Sequence, residues 1–176
     1  MRPGKLTVIC GPMFAGKSTE LVSRVHEQTL VMKPAMDSRY GREVMSTHDG
    51  KQVPAWPVRA WPEWAWERSS IVIDEIQFFD TPWFDDDLTD IISRLLKRDV
   101  DIVVAGLDMD AWGRPFEVTA TLCALADEVI KLKARCATCG QPAGMTLAKR
   151  NAGQRVLLGG AESYEPACRL HWSVPE

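Results

Sequence analysis

The chain has 176 residues and a formal net charge of −3 at pH 7, with 45% hydrophobic and 26% charged residues. That length can bury the core of one domain, or of one domain with a small appendage, and the composition is that of an ordinary globular protein. The weak negative charge gives no general basic field for nucleic acid, no apolar run reaches the ~18 residues of a bilayer span, and no cleavable leader precedes the first strand, so a cytoplasmic protein without nucleic-acid or membrane partners is expected.

Leu6–Cys10 reads as a buried strand, and the next eight residues are Gly11-Pro12-Met13-Phe14-Ala15-Gly16-Lys17-Ser18. They fit the phosphate-binding pattern G-x-x-x-x-G-K-[ST], placed between a strand and a helix-compatible stretch. There, successive backbone N–H groups and the helix N-terminus face one anion. Lys17 can reach the β- and γ-phosphates, the Ser18 hydroxyl can ligate Mg²⁺, and Gly11 and Gly16 permit turns that a Cβ obstructs. A nucleoside triphosphate is the expected ligand.

Thr19–Gln28 reads as the following helix and Thr29–Lys33 as a second strand ended by Pro34. Residues 35–50 are polar and are expected to form a mobile loop or short hairpin near the phosphates. Val53–Trp66 holds four of the seven tryptophans, which either pack on the sheet or form a subunit contact. Ser70–Asp74 is a strand ending in Asp74-Glu75. In a P-loop protein such a pair provides an Mg²⁺ ligand, Asp74, and a general base, Glu75. Thr81-Pro82 is expected to open a helix running to about Lys97. Asp101–Leu107 is a strand, Phe116–Leu125 a helix and Glu128–Leu132 a short strand. This alternation predicts an α/β fold, a RecA-like P-loop parallel sheet flanked by helices.

From Cys136 the texture changes to short turns and glycine pairs. The expected division is a P-loop nucleotide-binding domain over 1–135 and a small C-terminal unit over 136–176. Cys136-x-x-Cys139 and Cys168-x-x-His171, with 28 residues between the pairs, offer three thiolates and one imidazole. That closed set suits structural Zn²⁺ and leaves no open position for catalysis. Metal fixing the ends of the intervening segment suits a lid over a substrate. Cys10 and Cys123 read as small core residues.

Several segments occur in a fixed order: the P-loop through Thr19, Asp37-Ser38-Arg39-Tyr40, Thr47-His48-Asp49-Gly50, Asp74-Glu75-Ile76-Gln77-Phe78-Phe79, Gly106-Leu107-Asp108-Met109-Asp110 with Pro115-Phe116, and the two metal pairs. Together they resemble the thymidine kinase family of the cellular and bacterial type, whose C-terminal unit is a zinc-bound lasso. The resemblance covers about residues 5–171. It implies transfer of the ATP γ-phosphate to the 5′-hydroxyl of thymidine, and of deoxyuridine, in pyrimidine salvage. It gives Glu75 the role of base, with Lys17 and Arg39 at the transferring phosphate. It implies ATP and Mg²⁺ contacts from residues 11–19, Asp37, Asp74 and Gln77. The thymine pocket falls to Met13, Phe78, Leu107, Thr146 and the Leu157–Tyr164 stretch, including Leu157, Gly159 and Tyr164. The metal ligands are Cys136, Cys139, Cys168 and His171. A homotetramer, sometimes a dimer, and feedback by thymidine triphosphate are further family expectations. Trp112 is no part of the pattern and is expected against the lasso or a neighbouring subunit. The competing readings are a RecA-like ATPase with a zinc-ribbon appendage, in which Glu75 activates water, and a zinc-ribbon binding module with a vestigial P-loop.

Overall fold

The structure, a computed structural model, describes residues 2–37, 41, 43–47, 50–149 and 159–175. In chain order its elements are β1 (Leu6–Cys10), α1 (Lys17–Val22), β2 (Leu30–Pro34), β3 (Val44–Ser46), β4 (Gln52–Pro54), β5 (Trp56–Val58), β6 (Ser70–Ile73), α2 (Leu88–Leu96), β7 (Asp101–Gly106), α3 (Glu117–Leu125), β8 (Glu128–Lys131), β9 (Ala134–Arg135), β10 (Pro142–Ala143), β11 (Met145–Ala148) and β12 (Tyr164–Ala167). Short 3₁₀ turns occupy Glu63–Glu67 and Ile76–Phe78.

Six strands form one sheet in the order β5-β2-β6-β7-β1-β8, and every pairing in it is parallel. The four central strands, β2, β6, β7 and β1, are apolar runs buried on both faces as a parallel sheet requires, whereas the edge strands β5 and β8 are partly exposed. Alternate side chains divide the core between the two faces. Leu6, Val8, Met32, Ile71, Ile73, Ile102 and Val104 pack with Leu88, Ile92 and Leu95 of α2 and Leu122 of α3. Ile9, Val31, Val72 and Ala105 face the other way, onto Leu21 and Val22 of α1. The α/β architecture expected from the sequence is therefore observed.

Two helices differ from expectation. α1 stops at Val22 rather than Gln28: Arg24 and Val25 bond tightly back to Leu21 and Val22, and the Thr29 hydroxyl takes the His26 N–H. The chain reverses there to deliver Leu30 to β2. The helix expected from Thr81 begins at Leu88, because Asp87 accepts from the Thr89 and Asp90 N–H groups at 2.8 and 3.0 Å. That carboxylate satisfies two of the four free donors at a helix start. The segment before it is a turn in which the N–H groups of Trp83 and Phe84 both reach the Asp80 carbonyl.

From the 35–50 stretch β3 pairs antiparallel with β4, which lies just beyond it. The tryptophans of the 53–66 stretch divide: Trp61 is buried and Trp66 packs against the core, whereas Trp56, 59% exposed, and Trp64 lie against each other with centroids 5.1 Å apart and planes tilted by 59°. Beyond the large sheet, β9 pairs with β10 and β11 with β12, both antiparallel. No helix among the described residues is long and apolar enough to cross a membrane.

Candidate active site and metal centre

In a parallel sheet every strand ends at the same edge, where the loops gather the ligand-binding groups. At this edge β1 runs into the P-loop, β6 into Asp74-Glu75 and β7 into Leu107-Asp108. Gly11 and Gly16 take φ values of 145° and 82°, the left-handed side that a phosphate-wrapping loop needs. Lys17 donates from Nζ to the Pro12 carbonyl at 2.8 Å. Burial holds its ammonium below the ordinary value of 10.5, with Glu75, Asp74 and Asp108 pulling the other way.

The Ser18 hydroxyl donates to Asp74 Oδ2 at 3.1 Å, and the Glu75 N–H donates to Asp74 Oδ1 at 2.9 Å. Asp74 is 7% exposed. Burial is the main cause that raises its pKa from 3.8 to about 7, and the neighbouring Glu75 is the second; the two hydrogen bonds and Lys17 oppose them. A hydroxyl and a carboxylate converging beside a lysine are a hard-oxygen donor set suited to a magnesium ion that also holds phosphate oxygens.

Glu75 sits at φ 53°, ψ 45°, a left-handed conformation uncommon for a residue with a Cβ. Its Oε2 accepts from Gln77 Nε2. Gln77 Oε1 accepts from the Leu107 N–H at 2.9 Å. A backbone N–H can only donate, so this second bond fixes which way the amide faces. Gln77 is 2% exposed and joins the end of β6 to the end of β7. Gly106 makes room for it: a Cβ there would lie 2.6 Å from Ile76 Cγ1 and 2.7 Å from Gln77 Oε1.

The Met13 N–H donates to Thr146 Oγ1 at 3.1 Å, tying the P-loop to β11. Met13 and Leu107 are half-buried, Thr146 and Tyr164 are buried, and Thr146 and Tyr164 lie on the paired strands β11 and β12. Phe78 is buried, with its ring edge-on to Trp83 at 5.7 Å. Phe14 lies in the P-loop at φ 64°, Ala15 packs against the metal-site cluster, Thr19 is exposed on α1, and Gly159 lies against Ser163. Asp37 is buried and stands 3.9 Å from Lys33 Nζ. Arg39 and Leu157 lie outside the described residues.

The four metal-type residues come together, with all four ligand atoms within 4.8 Å of one another. Cys139 Sγ lies 3.8 Å from Cys168 Sγ, and His171 Nδ1 lies 3.7 Å from Cys136 Sγ and 3.2 Å from Cys168 Sγ. A tetrahedron with Zn–S of ~2.3 Å has S···S edges of about 3.8 Å, so the spacing fits zinc and is far too long for a disulfide. The backbone N–H groups of Cys168, Cys139 and Thr138 pull the Cys136 thiol down to about 5, the thiolate side of neutrality. No carboxylate or second imidazole joins the cluster among the described residues.

Two residues, and one residue's partners, escaped the sequence reading. Gln77, expected at ATP and Mg²⁺, has its amide between Glu75 and Leu107; the second partner lies thirty residues away, and no local pattern records it. Lys33, a cation inside an apolar strand, is almost wholly buried, and its Nζ bonds to the Gly41 and Val44 carbonyls at 2.9 and 3.0 Å. Trp172 follows the last metal residue directly, and its Nε1 donates to the Ala111 carbonyl at 3.1 Å. That bond reaches the loop carrying Trp112 from the metal-knuckle side.

Comparison with known proteins agrees with this geometry. A sequence model of a family described as thymidine kinase matches residues 4–172. A curated thymidine kinase of Pseudothermotoga lettingae is 41% identical over 177 aligned residues, covering 94% of this chain and 93% of that one. With the phosphate loop, the paired carboxylates and the Cys₃His cluster all inside the matched span, the chain belongs to the thymidine kinase family.

Proposed function

We propose that this protein is an ATP:thymidine 5′-phosphotransferase that also accepts deoxyuridine. Family membership sets the reaction class, and the observation that carries the mechanism is the chain of contacts from Ser18 through Asp74, Glu75 and Gln77 to Leu107. It joins the P-loop at one end, through two carboxylates, to the start of the loop at Leu107 at the other.

In this reading the P-loop N–H groups and Lys17 hold the β- and γ-phosphates. Ser18 and Asp74 would hold Mg²⁺, and the family pattern adds Asp37 as a further carboxylate for it. Bound there, the ion supplies charge neutralisation at the phosphate oxygens. Glu75 accepts the proton of the 5′-hydroxyl as its oxygen bonds to the γ-phosphorus. The bond from phosphorus to the bridging oxygen breaks, and ADP leaves with that electron pair. Gln77 fixes the Glu75 carboxylate, and Arg39 stabilises charge on the phosphoryl group in flight. Positioning and charge supply most of the acceleration in such a transfer. Met13, Phe78, Leu107, Thr146 and the lasso stretch containing Leu157, Gly159 and Tyr164 border the thymine, with the planar base in an apolar slot. Cys136, Cys139, Cys168 and His171 hold one structural Zn²⁺ that pins a lasso unit extending from about residue 136. The enzyme works in the cytoplasm as a homo-oligomer, a tetramer or dimer, without nucleic acid or membrane.

The test is ADP release from Mg-ATP with thymidine, deoxycytidine or single-stranded DNA added in parallel. Stimulation by thymidine, with a monophosphate product, is expected. Stimulation by DNA, or turnover indifferent to nucleosides, would instead make Glu75 the activator of water, as in an ATPase.

A further inference from the structure

The loop between β7 and α3 carries Leu107 and is built by its own hydrogen bonds. The buried Asp110 carboxylate accepts from the Trp112 and Arg114 N–H groups at 3.0 and 2.9 Å, and Met109 bridges to Pro115. Gln77 reaches the loop at Leu107 and Lys131 at Asp108, and a further contact comes from the C-terminal segment. Trp172 donates its indole N–H to the Ala111 carbonyl, sixty-one residues back along the chain. Its six-membered ring also covers Gly113. A Cβ at position 113 would lie 3.1 and 3.2 Å from ring atoms Cη2 and Cζ2, and 3.6 Å from the end of Met145 in β11. Gly113 is at φ 75°, so glycine suits both the turn and the ring against it.

The other side of Trp172 is the metal knuckle. The His171 and Trp172 N–H groups both bond to the Cys168 carbonyl, at 3.1 and 2.9 Å. The turn that presents the Cys168 and His171 ligand atoms therefore also sets the indole. On the far side of the same module, Thr146 holds Met13 of the P-loop. Among the described residues, two of the module's contacts with the rest of the fold bear on the proposed site. One is with the P-loop; the other is with the loop that begins with Leu107.

We infer that Trp172 is a positioning residue for the nucleoside site, a strut that transmits the metal-fixed geometry of the knuckle to the Leu107–Pro115 loop. It does not meet the reacting atoms or the phosphates. Its effect is on how well the apolar edge at Leu107 is formed before the nucleoside arrives, so it acts on nucleoside binding rather than on phosphoryl transfer. The inference rests on the proposal above that Leu107 borders the thymine.

The experiment is steady-state kinetics of Trp172→Ala, Trp172→Phe and Gly113→Ala in the zinc-loaded protein, with thymidine affinity by equilibrium dialysis and zinc per chain by atomic emission. For Trp172→Ala, KM and Kd for thymidine are expected to rise about tenfold, while kcat, KM for ATP and zinc content stay within about twofold. Trp172→Phe keeps a ring over Gly113 and should recover most of the loss. Gly113→Ala, which pushes on the ring from the opposite side, should reproduce the Ala pattern. Unchanged thymidine KM in Trp172→Ala with full zinc overturns the inference. So does zinc loss in that variant, or a parallel fall in kcat and ATP affinity, because each makes the indole a general part of the fold. Wild-type turnover that ignores thymidine overturns the nucleoside reading and this inference together, and is seen before any variant is made.

Discussion

Asp74→Asn should stabilise the nucleotide-free protein, although it removes the proposed Mg²⁺ ligand. Asp74 is nearly inaccessible to solvent, and burial beside Glu75 raises its pKa from 3.8 to about 7. The folded protein therefore holds a proton that the unfolded chain has released, so stability falls as pH rises from about 4 to about 7 and the full cost is present above that. The gap corresponds to about 4 kcal/mol as a ceiling. Asparagine removes the charge and keeps the contacts: its carbonyl can accept from the Glu75 N–H, and its NH₂ can donate to the Ser18 oxygen. Allowing for relaxation of the charged form, a gain of about 2 kcal/mol is expected at pH 8, or roughly 4–8 °C in Tm for a domain of this size. The assay is thermal unfolding of both proteins from pH 4.5 to 8.5 without nucleotide or divalent metal. Taking the difference cancels titrations common to both. The gap should open through pH 5–7 and level off above. Added Mg-ATP should then raise the wild-type Tm more than that of the variant. A variant that melts below wild type at pH 8, or a gap that does not change with pH, would refute the reasoning, since either result means the Asp74 charge is compensated before any ligand binds.

Glu75→Gln should leave ATP affinity and zinc content intact while kcat falls by a factor on the order of 10³, because an amide cannot accept the hydroxyl proton; unchanged turnover removes Glu75 as base. Gln77→Met leaves the Leu107 N–H without its acceptor, so a loss of about 1–3 kcal/mol in denaturant unfolding is expected, together with a fall in kcat larger than the change in either KM. Gly106→Ala drives a methyl into Ile76 Cγ1 and Gln77 Oε1, and should destabilise by about 1–3 kcal/mol with a drop in kcat of the same kind; wild-type stability would show that the Ile76–Gln77 turn yields freely. Cys136→Ser should release about one zinc per chain and weaken thymidine binding more than ATP binding, and a metal-free protein with full activity would exclude the lasso role.

The parts that could be read from the sequence are those whose physics is local. Phosphate binding uses consecutive backbone groups, so Gly11–Ser18 declares itself. A zinc knuckle needs two ligands a fixed step apart, so Cys136/Cys139 and Cys168/His171 do too. The parallel strands were visible because burial on both faces demands apolar runs such as Ile71-Val72-Ile73. Thr81-Pro82 misled because a good capping signature competes with others nearby, and the Asp87 carboxylate holds the helix start. α1 was read too long because Val25 continues its apolar spacing, while the tight turn after Val22 is imposed by where β2 begins. Gln77 and Trp172 were out of reach for a different reason: each is defined by a partner distant in sequence, Leu107 in one case and Ala111 in the other.

The strand order explains why two adjacent carboxylates meet different partners. β7 lies between β6 and β1, so the chain leaving β7 at Leu107 stands between the P-loop and Asp74-Glu75. Asp74 closes the regular part of β6 and turns its carboxylate to Ser18 at the phosphate loop. An extended residue next in line would project from the opposite face of the sheet. Glu75 instead enters the left-handed region, where the chain turns back on itself and its carboxylate meets Gln77, which is anchored to Leu107. The left-handed conformation at Glu75 thus sets where each acid points, Asp74 to the P-loop serine and Glu75 to the buried amide of Gln77. Gly106 completes the arrangement, because any side chain there would press on the amide that holds the Glu75 carboxylate.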